Sequence, residues 1–131
     1  MSTLQNKIDF TLLITAKNAN PNGDPLNGNR PRENYDGLGE ISDVCIKRKI
    51  RNRLQDMGER IFVQSDDRCD DGFDSLRARV KGDKDLESFI KSGDDRAFYI
   101  KSCEKWIDVR SFGQVFAYDG KGEKGVSIGV R

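Results

Sequence analysis

The stretch from residue 18 to residue 40 constrains the fold more than any other part of the chain, because it excludes long helices and strands. All three prolines of the 131 residues lie in it, with four glycines, and five asparagines fall between residues 18 and 29. Proline fixes φ and lacks an amide donor, while glycine and asparagine favour tight turns. A loop of this length within one domain is uncommon and is typically functional or disordered. Regular structure is therefore expected only on either side of it; a plain surface loop is the alternative interpretation.

A strand is predicted before this loop and a helix after it. Residues 7–17 alternate largely between apolar and polar side chains, and a period of two is typical of a strand. Residues 42–57 carry one apolar stripe at spacings of four, four and three residues, which indicates a helix. Ser42 suits the N-cap and Gly58 the position just after the C-terminus. The stripe consists of Ile46, Ile50, Leu54 and Met57.

The remaining segments mix strand-like and helix-like patterns, so the chain is predicted to have an α+β fold. Residues 61–63 suit a second strand, and residues 65–95, which open with an acidic irregular stretch, are interpreted as an insertion or peripheral subdomain. Residues 104–117 favour a helix by the spacing of their apolar residues. Residues 125–131 begin a strand pattern that stops at the last residue, which suggests a fragment. A complete small protein with a frayed edge strand is the alternative.

Composition excludes several classes of protein. Lys and Arg number 23 and Asp and Glu 22, so the net charge of +1 shows no general polyanion-binding coat. Histidine is absent and the three cysteines contain no CxxC pair, which argues against a zinc site and fits a reducing cytoplasm. No apolar run approaches the roughly 20 residues that span a bilayer, and the N-terminus lacks a secretory signal.

Catalysis and metal binding have no support in the motifs. Nothing pairs a general base with a nucleophile, and there is no P-loop, so neither an enzyme nor a cofactor is expected. The acidic stretch 67–72 is superficially similar to a calcium loop, but Cys69 occupies a ligand position and no glutamate falls at the twelfth. We therefore interpret it as a solvated acidic loop without a metal.

A local excess of positive charge on the predicted helix is the feature that most indicates a function. Residues 47–53 hold five cations and no acid, so these side chains repel one another rather than pairing at i,i+4. At about 100° per residue, three of them fall opposite the apolar stripe and are expected to face solvent. A polyanion backbone would relieve the repulsion, whereas an ordinary solvated face is the alternative. The three are Lys47, Arg48 and Arg51, and the preceding loop adds Arg30 and Arg32.

Asp108 and Arg110 form a second charged group, within an otherwise apolar stretch. They are expected to form a structural ion pair, and the alternative is that Arg110 joins the anion-binding surface.

Three segments together resemble a known family. Residues 20–32, which open with Asn-Pro-Asn-Gly-Asp-Pro, residues 41–51 and residues 106–117 are similar to the backbone subunit of type I CRISPR surveillance complexes (Cascade), most like subtype I-C. The resemblance implies a single RRM-like (ferredoxin-like) domain over residues 1–131, with its core in 7–63 and 97–131 and the peripheral insertion in 65–95. Members of the family are longer than this chain, which then corresponds to the N-terminal half.

The resemblance also implies a function. Such a subunit is non-catalytic and cytoplasmic, has no membrane partner, and polymerises along the CRISPR guide RNA, contacting phosphates and sugars without sequence specificity. Its partners are the guide, target DNA through the guide, copies of itself and the other Cascade subunits. The alternative is a stand-alone protein-interaction module whose basic helix docks acidic partners. The RNA-binding residues that the family pattern and the charge arrangement suggest are Asn20, Asn22, Arg30, Arg32, Ser42, Lys47, Arg48 and Arg51.

Overall fold

The protein consists of short helices and small antiparallel sheets, which confirms the α+β class. The computed structural model describes residue 6, residues 9–117 and the backbone of residues 126–128. The chain divides into two compact units, residues 1–42 and residues 43–131. The first contains β1 (Gly23–Asp24) and β2 (Arg30–Pro31); the second contains α1 (Asp43–Asp56), α2 (Leu76–Lys81), α3 (Lys84–Ser92), α4 (Asp95–Lys105), α5 (Ile107–Phe112), β3 (Gln114–Phe116) and β4 (Val126–Ile128).

The proline- and asparagine-rich loop of the first unit is an ordered hairpin. β1 and β2 pair antiparallel, with Asp24 opposite Arg30. Between them a 3-10 turn (Pro25–Asn27) begins where the Asp24 carboxylate accepts a hydrogen bond of 3.0 Å from the Leu26 N–H. The turn ends at Gly28, whose φ of 61° is left-handed and costs glycine little. The loop therefore has a defined shape made almost entirely of turns.

The strand predicted for residues 7–17 is not formed over residues 9–17. Phe10, Leu12, Leu13 and Ile14 are between 47% and 88% exposed, and no described segment pairs with them. A strand needs a neighbour to bond its N–H and C=O groups, and the alternating pattern alone supplies none. Residues 7 and 8 lie outside the described residues.

Helix α1 confirms the helix prediction to within a residue at each end. It begins at Asp43, directly after Ser42, and ends at Asp56. At its C-terminus the Glu59 N–H donates to the Leu54 carbonyl (3.0 Å) and the Gly58 N–H to the Gln55 carbonyl (2.9 Å). This pair of bonds is a Schellman motif, and the φ of 85° at Gly58 is the left-handed conformation that the motif requires.

The core of the second unit is built mainly from aromatic side chains. The ring centroids of Phe62 and Trp106 lie 4.7 Å apart, and those of Phe62 and Phe116 lie 5.0 Å apart. Val80 of α2 and Leu86 of α3 are also buried in it, so part of the segment 65–95, which was expected to be peripheral, contributes to this core. The apolar faces of α2 and α3 cover the same aromatic cluster. The buried core residues are Phe62, Val80, Leu86, Phe98, Trp106, Val109 and Phe116.

Residues 61 and 62 are buried and Val63 is partly buried, but residues 61–63 do not form the predicted second strand. The amide N–H groups of Phe62 and Val63 donate to the carboxylate of Asp108, at 2.7 Å and 3.0 Å. Since these donors are used by a side chain, they are not available to a neighbouring strand.

The C-terminal segments agree in part with the sequence analysis. The helix expected over residues 104–117 is formed by the end of α4 and by α5, but Gln114–Phe116 forms β3 instead. β4 confirms a strand over residues 126–128 and pairs antiparallel with β3, with Gln114 opposite Ile128. Residues 125 and 129–131 lie outside the described residues. Among the described helices, none has the length and apolar character needed to cross a bilayer.

The acidic stretch 66–74 is organised around a buried arginine rather than simply solvated. Arg79 of α2 is 4% exposed and donates to the Asp71 carboxylate through Nε and Nη2. Its Nη1 donates to the Phe62 carbonyl at 2.8 Å, which ties the stretch to the core. A fully buried charge is tolerated because it is paired and hydrogen-bonded.

Candidate nucleic-acid interface

Three of the predicted RNA-binding residues hold the first unit together. The Asn20 side-chain amide donates to the Asn29 carbonyl at 2.7 Å. The Asn22 side-chain oxygen accepts hydrogen bonds of 2.9 Å from both the N–H and the hydroxyl of Ser42. Asn22 also accepts a backbone bond from Arg32 (2.9 Å). Asn20, Asn22 and Ser42 thus fix the ends of the hairpin, and their contact with RNA stays a prediction.

Gly23 shows how closely this hairpin is packed. A β-carbon at this position would lie 1.9 Å from the Asn29 side-chain oxygen and 3.2 Å from the Asn20 side-chain nitrogen. Only a residue without a side chain allows the two amides to approach the backbone of β1. The glycine of the Asn-Pro-Asn-Gly motif is therefore required by the shape of the loop.

The two arginines of the hairpin differ in their electrostatic environment. Arg32 Nε donates to the Glu40 carboxylate at 2.8 Å, and this hydrogen bond is the main cause that raises the pKa of Arg32. Arg30 is exposed and forms no ion pair with any described residue. Within the first unit, Arg30 is thus the better placed of the two for an external anion.

Lys47 lies on the first turns of α1 and is weakly paired. Its Nζ lies 3.1 Å from the Asp43 carboxylate at i,i+4, with side chains 39% and 74% exposed. The hydrogen bond from Lys47 is the main cause that lowers the pKa of Asp43. Exposed pairs of this kind contribute little and exchange readily, so Lys47 is available to another anion.

Arg48 and Arg51 do not face solvent as predicted. Arg51 Nε donates to the Asp108 carboxylate at 2.9 Å, with the Arg51 side chain 13% exposed and Asp108 fully buried. Arg48 Nη1 donates to the Val63 carbonyl at 2.8 Å. The prediction of a solvent-facing stripe through these two residues is wrong, because later parts of the chain cover that side of α1. Conversely, Ile50 and Met57 of the apolar stripe are 37% and 66% exposed.

The energy of the Arg51–Asp108 pair decides whether Arg51 can leave it for a phosphate. Removing one partner of a buried pair costs about 3–5 kcal/mol, because the other charge is left buried alone. A hydrogen bond to a charged group returns about 1.5–3 kcal/mol. Arg51 therefore stays bonded to Asp108, and only its remaining nitrogens can serve a ligand.

Arg48 and Arg51 form a pair of like charges, and one of the two is bonded to the Asp108 carboxylate. Burial is the main cause that lowers the pKa of Arg48, and the positive charge of Arg51 lowers it further, whereas the negative charges of Asp108 and Asp67 oppose both effects. Both guanidinium groups remain charged, since arginine does not deprotonate in proteins. One positive charge of the pair is thus left without a carboxylate in contact.

Lys49 and Arg53 are the exposed cations of α1 that the sequence analysis did not select. Both side chains are exposed, and neither forms an ion pair within residues 9–117. Their spacing of i,i+4 puts them on neighbouring turns, where like charges repel. Both residues belong to the run of five cations in residues 47–53, and helical periodicity puts them beside the apolar stripe rather than opposite it.

Asp108 is the residue whose importance the sequence analysis underestimated. The expected ion pair with Arg110 is not formed; Arg110 is exposed, and Asp108 bonds to Arg51 and to two backbone amides. The signal was an acidic residue in the apolar run from Trp106 to Val109. Among the described residues, no group of three or more metal-ligating side chains is close enough to hold a metal ion.

Comparison with known proteins identifies the family of this chain. Residues 6–130 match the family model of the CRISPR-associated protein Cas7. The chain therefore belongs to the Cas7 family, which confirms the family resemblance of its three motifs. A CRISPR-associated protein Cas7 of Haloferax volcanii is 33% identical over 124 residues, covering 91% of this chain and 34% of that protein. The chain thus spans about a third of the length of the curated relative it matches.

Proposed function

We propose that this chain is part of a non-catalytic backbone subunit, most like that of subtype I-C, that polymerises along CRISPR guide RNA in a type I antiviral surveillance complex. The RRM-like core and the cytoplasmic location belong to the same proposal. Its partners are the guide RNA, target DNA through the guide, further copies of itself and the other Cascade subunits.

The observation that carries this proposal is the uncompensated charge of α1 in a member of the Cas7 family. Five cations lie between residues 47 and 53, and carboxylates of the described chain pair with two of them, Lys47 and Arg51. The positive charges of Arg48, Lys49 and Arg53 are left within about two turns of one helix. A polyphosphate chain supplies the matching negative charges and gains further from release of its counterions.

The composition of α1 favours contacts with the phosphate backbone of RNA over contacts with its bases. The helix contains no aromatic residue on which a base could stack. Lysine and arginine contacts to phosphates set affinity and position and carry no sequence information. Such contacts suit a protein that accepts any guide, because base pairing then reads the target.

The proposal is tested by the salt dependence of RNA binding. The triple variant Lys47→Gln, Lys49→Gln, Arg53→Gln removes exposed cations of α1 without touching Arg48 or Arg51. Its affinity for single-stranded RNAs of different sequence, measured by fluorescence anisotropy, should fall equally for all of them. The slope of log K against log salt should flatten by about 2, or about 0.7 for each lost phosphate contact.

The matched control removes three exposed lysines from α2 and α3. Lys81→Gln, Lys84→Gln, Lys91→Gln changes the net charge by the same amount on other helices. It should leave the slope close to that of the wild type. If the wild type binds no RNA, or if both triple variants change the slope equally, the proposed function is wrong. A protein-interaction module would show no RNA binding in the wild type.

A further inference from the structure

Asp108 bonds to three groups from two separate parts of the second unit. Its Oδ1 accepts from the Phe62 N–H at 2.7 Å, and its Oδ2 accepts from the Val63 N–H at 3.0 Å and from Arg51 Nε at 2.9 Å. The side chain is fully buried. A carboxylate with this many donors is held in one orientation, and so is each of its partners.

The same carboxylate also determines the position of Arg48, through Val63. The Val63 N–H donates to Asp108, and the Val63 carbonyl accepts from Arg48 Nη1 at 2.8 Å. Both arginines of α1 are therefore fixed through one buried group. Arg51 is fixed directly, and Arg48 through the peptide segment that Asp108 holds in place.

Both guanidinium groups keep donors that can reach a ligand. The Arg51 side chain is 13% exposed. The remaining nitrogens of Arg48 and Arg51 form no hydrogen bond within the described chain and are not fully enclosed. The Phe112 ring, 5.0 Å from the centre of the Arg51 guanidinium, supports one side of it. Planar, fixed guanidinium groups match the geometry and charge of a phosphate.

We propose that Asp108 is a positioning residue that holds Arg48 and Arg51 as a preformed clamp for one phosphate of an RNA backbone. The inference rests on the proposed function and names the part of α1 that binds with fixed geometry. A fixed side chain loses less conformational entropy on binding than a free lysine does. The clamp therefore favours a phosphate bound at a fixed position over an anion that is held only by the general positive charge of the helix.

The test compares two substitutions that change the net charge equally. Asp108→Asn and Asp43→Asn each remove one carboxylate that is bonded to a cation of α1. Electrostatics alone would make both variants bind single-stranded RNA of mixed sequence more tightly. The clamp instead requires Asp108→Asn to bind about tenfold more weakly, the effect of one charge-assisted hydrogen bond, while Asp43→Asn binds as tightly as the wild type or more so.

The salt slope separates positioning from a loss of stability. A smaller folded fraction multiplies the dissociation constant by the same factor at every salt concentration, so it leaves the slope unchanged. Loss of the clamp flattens the slope of Asp108→Asn by about 0.7 for one phosphate. Circular dichroism at the binding temperature gives the folded fraction of each variant.

A second variant tests the clamp with Asp108 and its bonds intact. Arg48→Gln should flatten the slope by about 0.7, whereas Arg96→Gln, an exposed arginine of α4, should not. If Asp108→Asn behaves like Asp43→Asn, or if Arg48→Gln keeps the wild-type slope, the clamp is overturned. The proposed function would still stand in either case, provided that the Lys47, Lys49 and Arg53 triple variant flattens the slope. Absence of RNA binding by the wild type would overturn both.

Discussion

Asp108 and Arg51 show how far a residue's role depends on contacts that are distant in sequence. The two residues are 57 positions apart, and the amides that share the carboxylate are 46 and 45 positions from it. Helical periodicity describes one helix in isolation, so it assigned Arg51 to the side opposite the apolar stripe and therefore to solvent. What covers that side is decided by the fold. The charge of α1 was predictable from sequence, but the distinction between fixed and free cations was not.

The ion pair between the buried Arg79 and the partly exposed Asp71 makes stability depend on pH. Hydrogen bonds from Arg79 are the main cause that holds the pKa of Asp71 below its ordinary value. A carboxyl group whose pKa is lower in the folded protein adds stability above its unfolded pKa of about 3.9 and loses it as pH falls through the folded pKa. Asp71→Asn should therefore lower the free energy of unfolding at pH 7. As the pH falls below 4, the free energy of unfolding should decrease less in this variant than in the wild type.

Urea unfolding followed by circular dichroism at a series of pH values measures this effect. Asp74→Asn is the control, because Asp74 is exposed and forms no ion pair among the described residues. Equal pH profiles for Asp71→Asn and the wild type would show that the pair with Arg79 contributes nothing to stability.

At the scale of elements, local signals predicted helices well and strands poorly. The limits of α1 follow from residues within it or next to it, from the start after Ser42 to the Schellman motif at Gly58. A strand depends on a partner elsewhere in the chain. Residues 9–17 have the correct alternation and no described partner, and residues 61–63 give their amides to Asp108. Pattern alone cannot distinguish these cases.

The junction between α2 and α3 depends on the absence of a side chain at Gly82. A β-carbon there would lie 2.3 Å and 2.5 Å from two atoms of the Phe73 ring. The backbone at Gly82 is right-handed helical, so alanine is otherwise compatible with it. Gly82→Ala should lower the free energy of unfolding by about 1–3 kcal/mol through overpacking, as measured by urea denaturation.

The same substitution in a Phe73→Ala background isolates the steric cause. There Gly82→Ala should cost less, since the ring that it displaces is gone. Gly39→Ala, where a β-carbon meets open space, should be close to neutral. If Gly82→Ala lowers the free energy of unfolding equally in the wild type and in the Phe73→Ala variant, the effect comes from the polypeptide backbone and not from the Phe73 ring.

At the scale of the whole molecule, the described buried core belongs to the second unit, whereas the described apolar side chains of residues 9–17 in the first unit are exposed. Among the residues whose burial is described, every buried core residue lies in the range from Ile61 to Phe116, in the second unit. Phe98 is 1% exposed and Phe10 is 80% exposed. The same substitution, phenylalanine to alanine, at each of these two positions therefore compares the two units directly. Phe98→Ala should cost about 3–5 kcal/mol, while Phe10→Ala should stay within about 0.5 kcal/mol of the wild type.

Thermal and urea unfolding measure both variants under the same conditions. Phe10→Ala should also reduce self-association at high concentration, as seen by light scattering, because exposed apolar patches promote it. A large loss of stability in Phe10→Ala would contradict the exposure of residues 9–17.

The most direct test of the account is to locate RNA on the folded chain. In an NMR titration with single-stranded RNA of mixed sequence, shift changes should concentrate in the backbone amides of residues 43–56 and in the side-chain Nε–H signals of Arg48 and Arg51. They should weaken together as salt is raised. Shift changes centred on α3 or on residues 66–74, with the α1 signals unmoved, would contradict the assignment of α1 as the RNA-binding surface.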